Sequence, residues 1–170
     1  MNKETLLDKL LVKLFKIPAI KYYWDRNYKA LEFTNIPWTK LEKPLKDCKI
    51  VLITTGGIHL KSDKEFNLSD PNGDCTFRRI PYDTNFKDLV ITHKYYDHYD
   101  ADCDPNLILP IEVLSELQSE GIVGPSSENH YSFMGHIEEP HLKTLIQKSS
   151  VEAAKEIRQQ NADIALLVPA

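Results

Sequence analysis

One stretch concentrates side chains that can move protons. Thr92-His93-Lys94-Tyr95-Tyr96-Asp97-His98-Tyr99-Asp100-Ala101-Asp102-Cys103-Asp104 holds two His, four Asp and three Tyr in thirteen residues. It follows the apolar run Leu89-Val90-Ile91 directly. A buried strand that ends in titratable residues delivers them to a site at its carboxyl end. Imidazole beside carboxylate titrates near neutrality, so general acid–base work by His93, His98 and Asp97 is the expected chemistry. The same set could hold a divalent metal, although its spacing matches no established ligand pattern and no metal is assigned. The bland reading has Asp97 and Asp100 capping the loop and His93 packing against Tyr95.

His59 is the candidate outside that cluster. It follows Thr55-Gly56-Gly57-Ile58, a glycine turn at a strand end, where Gly56 and Gly57 let backbone approach a ligand. The turn is neither a dinucleotide fingerprint nor a P-loop. A further group spans Gly124–Gly135, read as a loop, with His130, Tyr131, Ser132 and then His136. A structural His bonded to backbone is the competing reading there. Cys48, Cys75 and Cys103 form no CxxC pair and are expected as reduced thiols, with Cys75 and Cys103 buried and inert.

The elements that position these residues follow from periodicity. Leu6, Leu7, Leu10, Leu11, Leu14 and Phe15 form a helical stripe over Thr5–Lys16, with Thr5 as N-cap and Pro18 as its end. Residues 18–47 read as an irregular aromatic arm. Lys49–Thr54 is a strand apolar on both faces, as parallel strands are. Asp70–Asp74 is a turn, Cys75–Ile80 an edge strand, and Leu89–Thr92 a buried strand. Pro110 opens a helix through Gln118, and Gly121 closes it. Ser149 and Glu152 read as a capping box for a helix over 150–160, which Asn161 ends. Asp163–Val168 is the last strand. This order implies an α/β fold: a mainly parallel sheet with flanking helices, Rossmann-like and three-layered, plus an N-terminal helix and arm. Residues 1–36 are the arm and 37–170 the α/β domain. The ends at Thr54–His59, Thr92–Asp104 and Pro169–Ala170 should share one rim.

The chain has 170 residues and a net charge of −4, with acids and bases interspersed. No basic stripe points to nucleic acid, and no apolar run approaches a membrane span. No signal-peptide pattern opens it, so a cytoplasmic location is expected.

Several blocks occur in an order that resembles a known family. They are Thr54–Leu60, Gly73-Asp74 with Phe77-Arg78, Thr92-His93 with Tyr96-Asp97-His98, Asp102, His130–His136 and Ala162–Pro169. Together they resemble the B-type selenoprotein component of glycine, sarcosine and betaine reductases and the related D-proline reductase subunit. The resemblance implies reductive cleavage of a C–N bond in a small amino-acid-like substrate, with a selenocysteine or cysteine nucleophile and a thiol electron donor. It places that nucleophile just after the final strand, in a Sec/Cys-Pro-x-Cys turn. The expectation is therefore a chain read as stopping at Ala170 before its nucleophile, with apolar surface exposed nearby. His93, His98, Asp97 and His59 would be catalytic. Gly56, Gly57, Tyr96, Asp102, His130, Ser132 and His136 would line the substrate pocket. Cys75 departs from the family, where an aromatic is common. A homo-oligomer is expected. The alternatives are a metal-dependent hydrolase or lyase on His93–Asp104, and a non-catalytic oligomeric interaction domain.

Overall fold

The computed structural model describes residues 10, 12–14, 16–27 and 39–170, which divide into two compact units. The first comprises the described residues up to Glu42 together with Lys94–Asp97. In it, residues 10 and 12–14 are helical, and helix α1 spans Pro18–Asn27. The irregular arm expected from residue 18 is thus a helix over its first ten residues. Pro18 stands at the first helical position, where its missing N–H costs nothing. The preceding turn closes with Ile17 N–H donating to Leu14 O, and Ile17 O then accepts from Lys21 N–H. The residues of the Leu stripe before Leu10, with Leu11 and Phe15, lie outside the described residues, as do Tyr28, Phe33, Pro37 and Trp38.

The second unit comprises Lys43–His93 and His98–Ala170. Its strands are β1 (Ile50–Thr54), β2 (Ile58–Leu60), β3 (Phe77–Pro81), β4 (Leu89–Ile91), β5 (Asn129–Phe133) and β6 (Ile164–Val168). A four-stranded sheet runs β3-β5-β1-β6, with β1 parallel to both β5 and β6 and β3 antiparallel on the edge. Val51 and Leu52 of β1 are fully buried, as an all-apolar central strand requires. The fold is therefore α/β with a mainly parallel sheet.

Three sequence expectations change. Asn129–Phe133, read as loop, is the interior strand β5, next to β1. Its Asn-His-Tyr-Ser-Phe has no apolar run, but it alternates: Tyr131 and Phe133 pack with Val51 and Ala153, while His130 and Ser132 face the other side. Leu89–Ile91 does not join the main sheet. It pairs antiparallel with β2, because the chain re-extends immediately after Gly56-Gly57. The capping box is not formed: Ser149 has helical φ −65° and ψ −44° and makes no cap bond. Helix α4 (His141–Thr144), a π-helical turn (Leu145–Ser149) and helix α5 (Ser150–Gln159) are continuous, and Asn161 at φ 56° ends the run. Between β4 and β5 lie helix α2 (Tyr99–Cys103) and helix α3 (Ile111–Ser119). Gly121 follows α3 at φ +70°, as expected. Edge strand β6 exposes Leu166 and Leu167.

Candidate functional site

Although β4 sits in the smaller sheet, the strand ends do meet. Thr55 N–H donates to Val168 O, Thr92 N–H to Gly57 O at 2.9 Å, and Ala170 N–H to Thr55 Oγ1 at 3.1 Å. Gly56 N–H donates to Thr54 Oγ1 at 3.0 Å. Gly57 has φ +67°, and a Cβ there would stand 2.7 Å from Thr92 O and 3.3 Å from His93 Cβ. Only glycine allows that approach. A Cβ on Gly135 would reach 3.1 Å from Thr55 O and 3.5 Å from His93 Nε2. His93 is thus lodged between two glycines that follow β1 and β5.

His93 is buried. Burial, with the neighbouring His136 and His98, pushes its imidazole down to about 4, so it is neutral near pH 7. His98 directly precedes α2, and its Nδ1–H donates to Asp102 Oδ2 at 2.7 Å across one helical turn. A carboxylate in that position fixes Nδ1 as the protonated nitrogen. His59 on β2 is fully buried; its Nδ1–H donates to Leu60 O and its Nε2 accepts from the Thr92 hydroxyl, each at 2.8 Å. Phe66 meets the His59 ring edge-on at 5.8 Å, and the Arg78 guanidinium lies 4.3 Å above Phe66. Arg78 is held in turn by Lys64 O at 2.8 Å and by Asp74 at 3.9 Å. Burial raises the Asp74 carboxyl, yet hydrogen bonds from Thr76 and Asn67 and the Arg78 charge bring it below its ordinary value. Ser132 pairs with Thr54 and Arg78 in register, and its buried hydroxyl has no hydrogen-bond partner among the described residues.

The structure therefore gathers Gly56, Gly57, His59, His93, His98 with Asp102, and His136. It does not bring His130 to them. That side chain is fully buried beside β1, where Leu52 N–H donates to Nδ1 at 3.1 Å and Nε2–H reaches Ser126 Oγ at 3.2 Å. Burial pushes it also to about 4. Tyr96 and Asp97 belong to the first unit, where Asp97 pairs with Lys16. Neither Thr92 nor Gly135 is among the site residues expected from the sequence, although the Thr92-His93 pair and the His-Tyr-Ser-Phe-Met-Gly-His run contain them. All three thiols are free, but contrary to expectation Cys103 is exposed and Cys75 partly so, whereas Cys48 is buried. Cys48 Sγ alone is shielded, donating to Pro44 O at 3.3 Å. Among the described residues, no three His, Cys, Asp or Glu side chains gather in metal-ligand geometry. Nor is any helix among them long and apolar enough to cross a membrane.

The strand ends thus bring buried His59 and His93 beside turn glycines at the carboxyl edge of an open α/β sheet, the edge at which such sheets bind ligands. The chain belongs to the glycine/sarcosine/betaine reductase selenoprotein B family, whose model matches residues 8–169. It is 34% identical over 130 residues to the D-proline reductase subunit gamma of Acetoanaerobium sticklandii, covering 76% of this chain and 52% of that protein. Identity is 28% over 116 residues with the glycine reductase complex component B subunit gamma of Symbiobacterium thermophilum, covering 66% and 27%. It is 24% over 121 residues with the sarcosine reductase complex component B subunit beta of Peptoclostridium acidaminophilum, covering 66% and 26%. The chain thus spans about half the length of the first relative and about a quarter of the others. No solved structure gives a significant match.

Proposed function

We propose that this chain supplies the substrate pocket of a reductase that cleaves a C–N bond in a small amino-acid-like molecule, within a multi-component assembly. The observation that carries this reading is the placement of neutral His93 between Gly57 and Gly135, with His98–Asp102 and His59–Thr92 beside it. The names of its relatives supply the reaction class.

Reductive C–N cleavage consumes two electrons and delivers protons to the separating carbon and nitrogen. Electrons come from a selenol or thiol, regenerated by a thiol donor. A selenocysteine or cysteine carried immediately beyond Ala170, as the family resemblance implies, would share a rim with Thr55, whose hydroxyl accepts from the Ala170 N–H. His98, oriented by Asp102, is the proton carrier. His93 stays neutral and acts as a hydrogen-bonding wall, because a cation there is opposed by burial and by two further imidazoles. His59 orients the Thr92 hydroxyl. The Gly56-Gly57 turn lets residues 92 and 93 close in on the end of β1 and so shapes the pocket floor, and Ser132 adds a further proposed contact. A homo-oligomer and a cytoplasmic setting accompany this reading.

The test assembles the chain, carrying selenocysteine or cysteine at the following position, with partner subunits and a dithiol. Glycine, sarcosine, betaine and D-proline are offered in turn, and amine release or ring opening is measured. Turnover of one of them, lost in His98→Ala, is expected. Full turnover in the His93→Ala, His98→Ala double variant would overturn the assignment.

A further inference from the structure

The turn Asp70–Asp74 is far in sequence from the His93–Asp104 run, yet it grips the segment leading away from the rim. Four contacts join it to residues 136–141. Gly73 bridges Ile137, Glu138 N–H donates to Asn72 O at 2.9 Å, His136 Nε2–H donates to Pro71 O at 3.2 Å, and His141 Nε2–H donates to Asp70 Oδ2 at 2.8 Å. The turn is braced before it receives this strap: Asp70 Oδ1 accepts from Asn72 N–H at 2.9 Å, and Asp70 O from Gly73 N–H at 3.2 Å. Gly73 has φ +85°, and a Cβ there would lie 1.9 Å from His136 O and 3.2 Å from Ile137 Cα. No side chain fits in that space, so turn and strap touch backbone to backbone. One residue before His136, a Cβ on Gly135 would stand 3.5 Å from His93 Nε2.

We propose that the 70–73 turn is a clasp, with Gly73 as its positioning residue, that seats Gly135 and His136 against His93 and thereby keeps water off that imidazole. The inference rests on the reading of His93 as a wall of the pocket. Gly73 touches no substrate; it acts through the strap. Among the described residues, the titratable groups that act on His93 are His136 from the strap and His98 from the start of α2. Loosening the clasp removes the first of these and hydrates the ring, and both changes favour the imidazolium. The Asp70–His141 contact is the outer fastening. The hydrogen bond from His141, then that from Asn72 N–H, holds the Asp70 carboxyl below its ordinary range.

The test is an NMR titration of the full chain with ¹³C-labelled histidine. His130 is the internal standard, because it is buried and its two ring nitrogens hydrogen-bond Leu52 N–H and Ser126, neither of them in the turn or the strap. In the unsubstituted chain both His93 and His130 should titrate at about 4, where burial holds them. In Gly73→Ala the His93 midpoint should rise by about one unit or more while His130 stays put. If Gly73→Ala does not fold, Asp70→Ala decides: it removes a partly exposed fastening and should raise His93 by roughly half a unit. An unmoved His93 in folded Gly73→Ala, or in Asp70→Ala where the first variant fails to fold, overturns the clasp. No turnover enters this readout, so a failed reductase assay and a failed clasp are separate results.

Discussion

The two ends of the parallel strands are built on opposite principles. At the amino end, around Lys49 and Asn129, a polar cleft of about 450 Å³ is closed by mutually satisfied groups. Arg79 grips both carboxylate oxygens of Glu156, Tyr131 donates to Glu156 at 3.2 Å, Gln160 Nε2–H donates to the Tyr131 oxygen at 2.7 Å, and Asn129 N–H donates to Gln160 Oε1. Burial first, then the Glu156 charge, pushes the Tyr131 phenol up to about 12. At the carboxyl end, glycines take the place of side chains, and imidazoles are held beside one another. The first arrangement fastens α5 to β5; the second sets imidazoles side by side at the rim. His130 and His93 make the contrast sharp. Both are driven to about 4, one by a core that uses both its nitrogens and the other by a glycine cradle at the rim. A displaced pKa alone does not mark a functional residue.

The largest expected effect of this contrast is acid instability. Both histidines have folded values near 4 against an ordinary 6.5. The unfolded chain therefore binds more protons between those values, and stability falls as pH drops from 6.5 to 4, then levels off. Each group contributes on the order of 3 kcal/mol across the full window. Denaturant melts at stepped pH should show the slope, and removing either histidine should flatten it by about half.

Next is His130→Ala, which strands the buried Leu52 N–H and empties a core site. It should cost about 3 kcal/mol, against about 1 kcal/mol for His93→Ala, both read from urea midpoints. Equal costs would erase the distinction between core and rim. His98→Ala should lower turnover of the assembled reductase about 100-fold while changing stability by less than about 0.5 kcal/mol. Arg79→Ala tests the other end. Its bidentate pair is half exposed, so the loss should be roughly 1 kcal/mol, with no change in turnover. The smallest effect belongs to Lys16→Ala, whose partner Asp97 is exposed; a loss under about 0.5 kcal/mol is expected by the same urea midpoints.

The sequence displayed its apolar signals well and its polar ones poorly. β1 and β6 are visible because continuous Val, Ile and Leu have no other use in so short a run. β5 was hidden because the face opposite Tyr131 and Phe133 carries His130 and Ser132, and His130 is tolerated in the core through a partner 78 residues away, Leu52 N–H. Periodicity registers polarity and cannot see a satisfied hydrogen bond. Pro18 misled because one proline both stops a helix and starts the next. The site's dense run was legible, but its split was not: His93 and His98 fall in one unit, Tyr96 and Asp97 in the other. Gly135 and Gly73 matter through backbone contacts that composition does not encode.

The most direct test of the rim as the binding site is amide chemical-shift mapping of the chain with glycine, sarcosine, betaine and D-proline as probes. The account predicts that at least one of them perturbs Gly56, Gly57, His93 and Gly135 and leaves Asn129, Gln160 and Asn161 unmoved. Perturbations confined to the amino end of the strands, or none with any of the four, would contradict it.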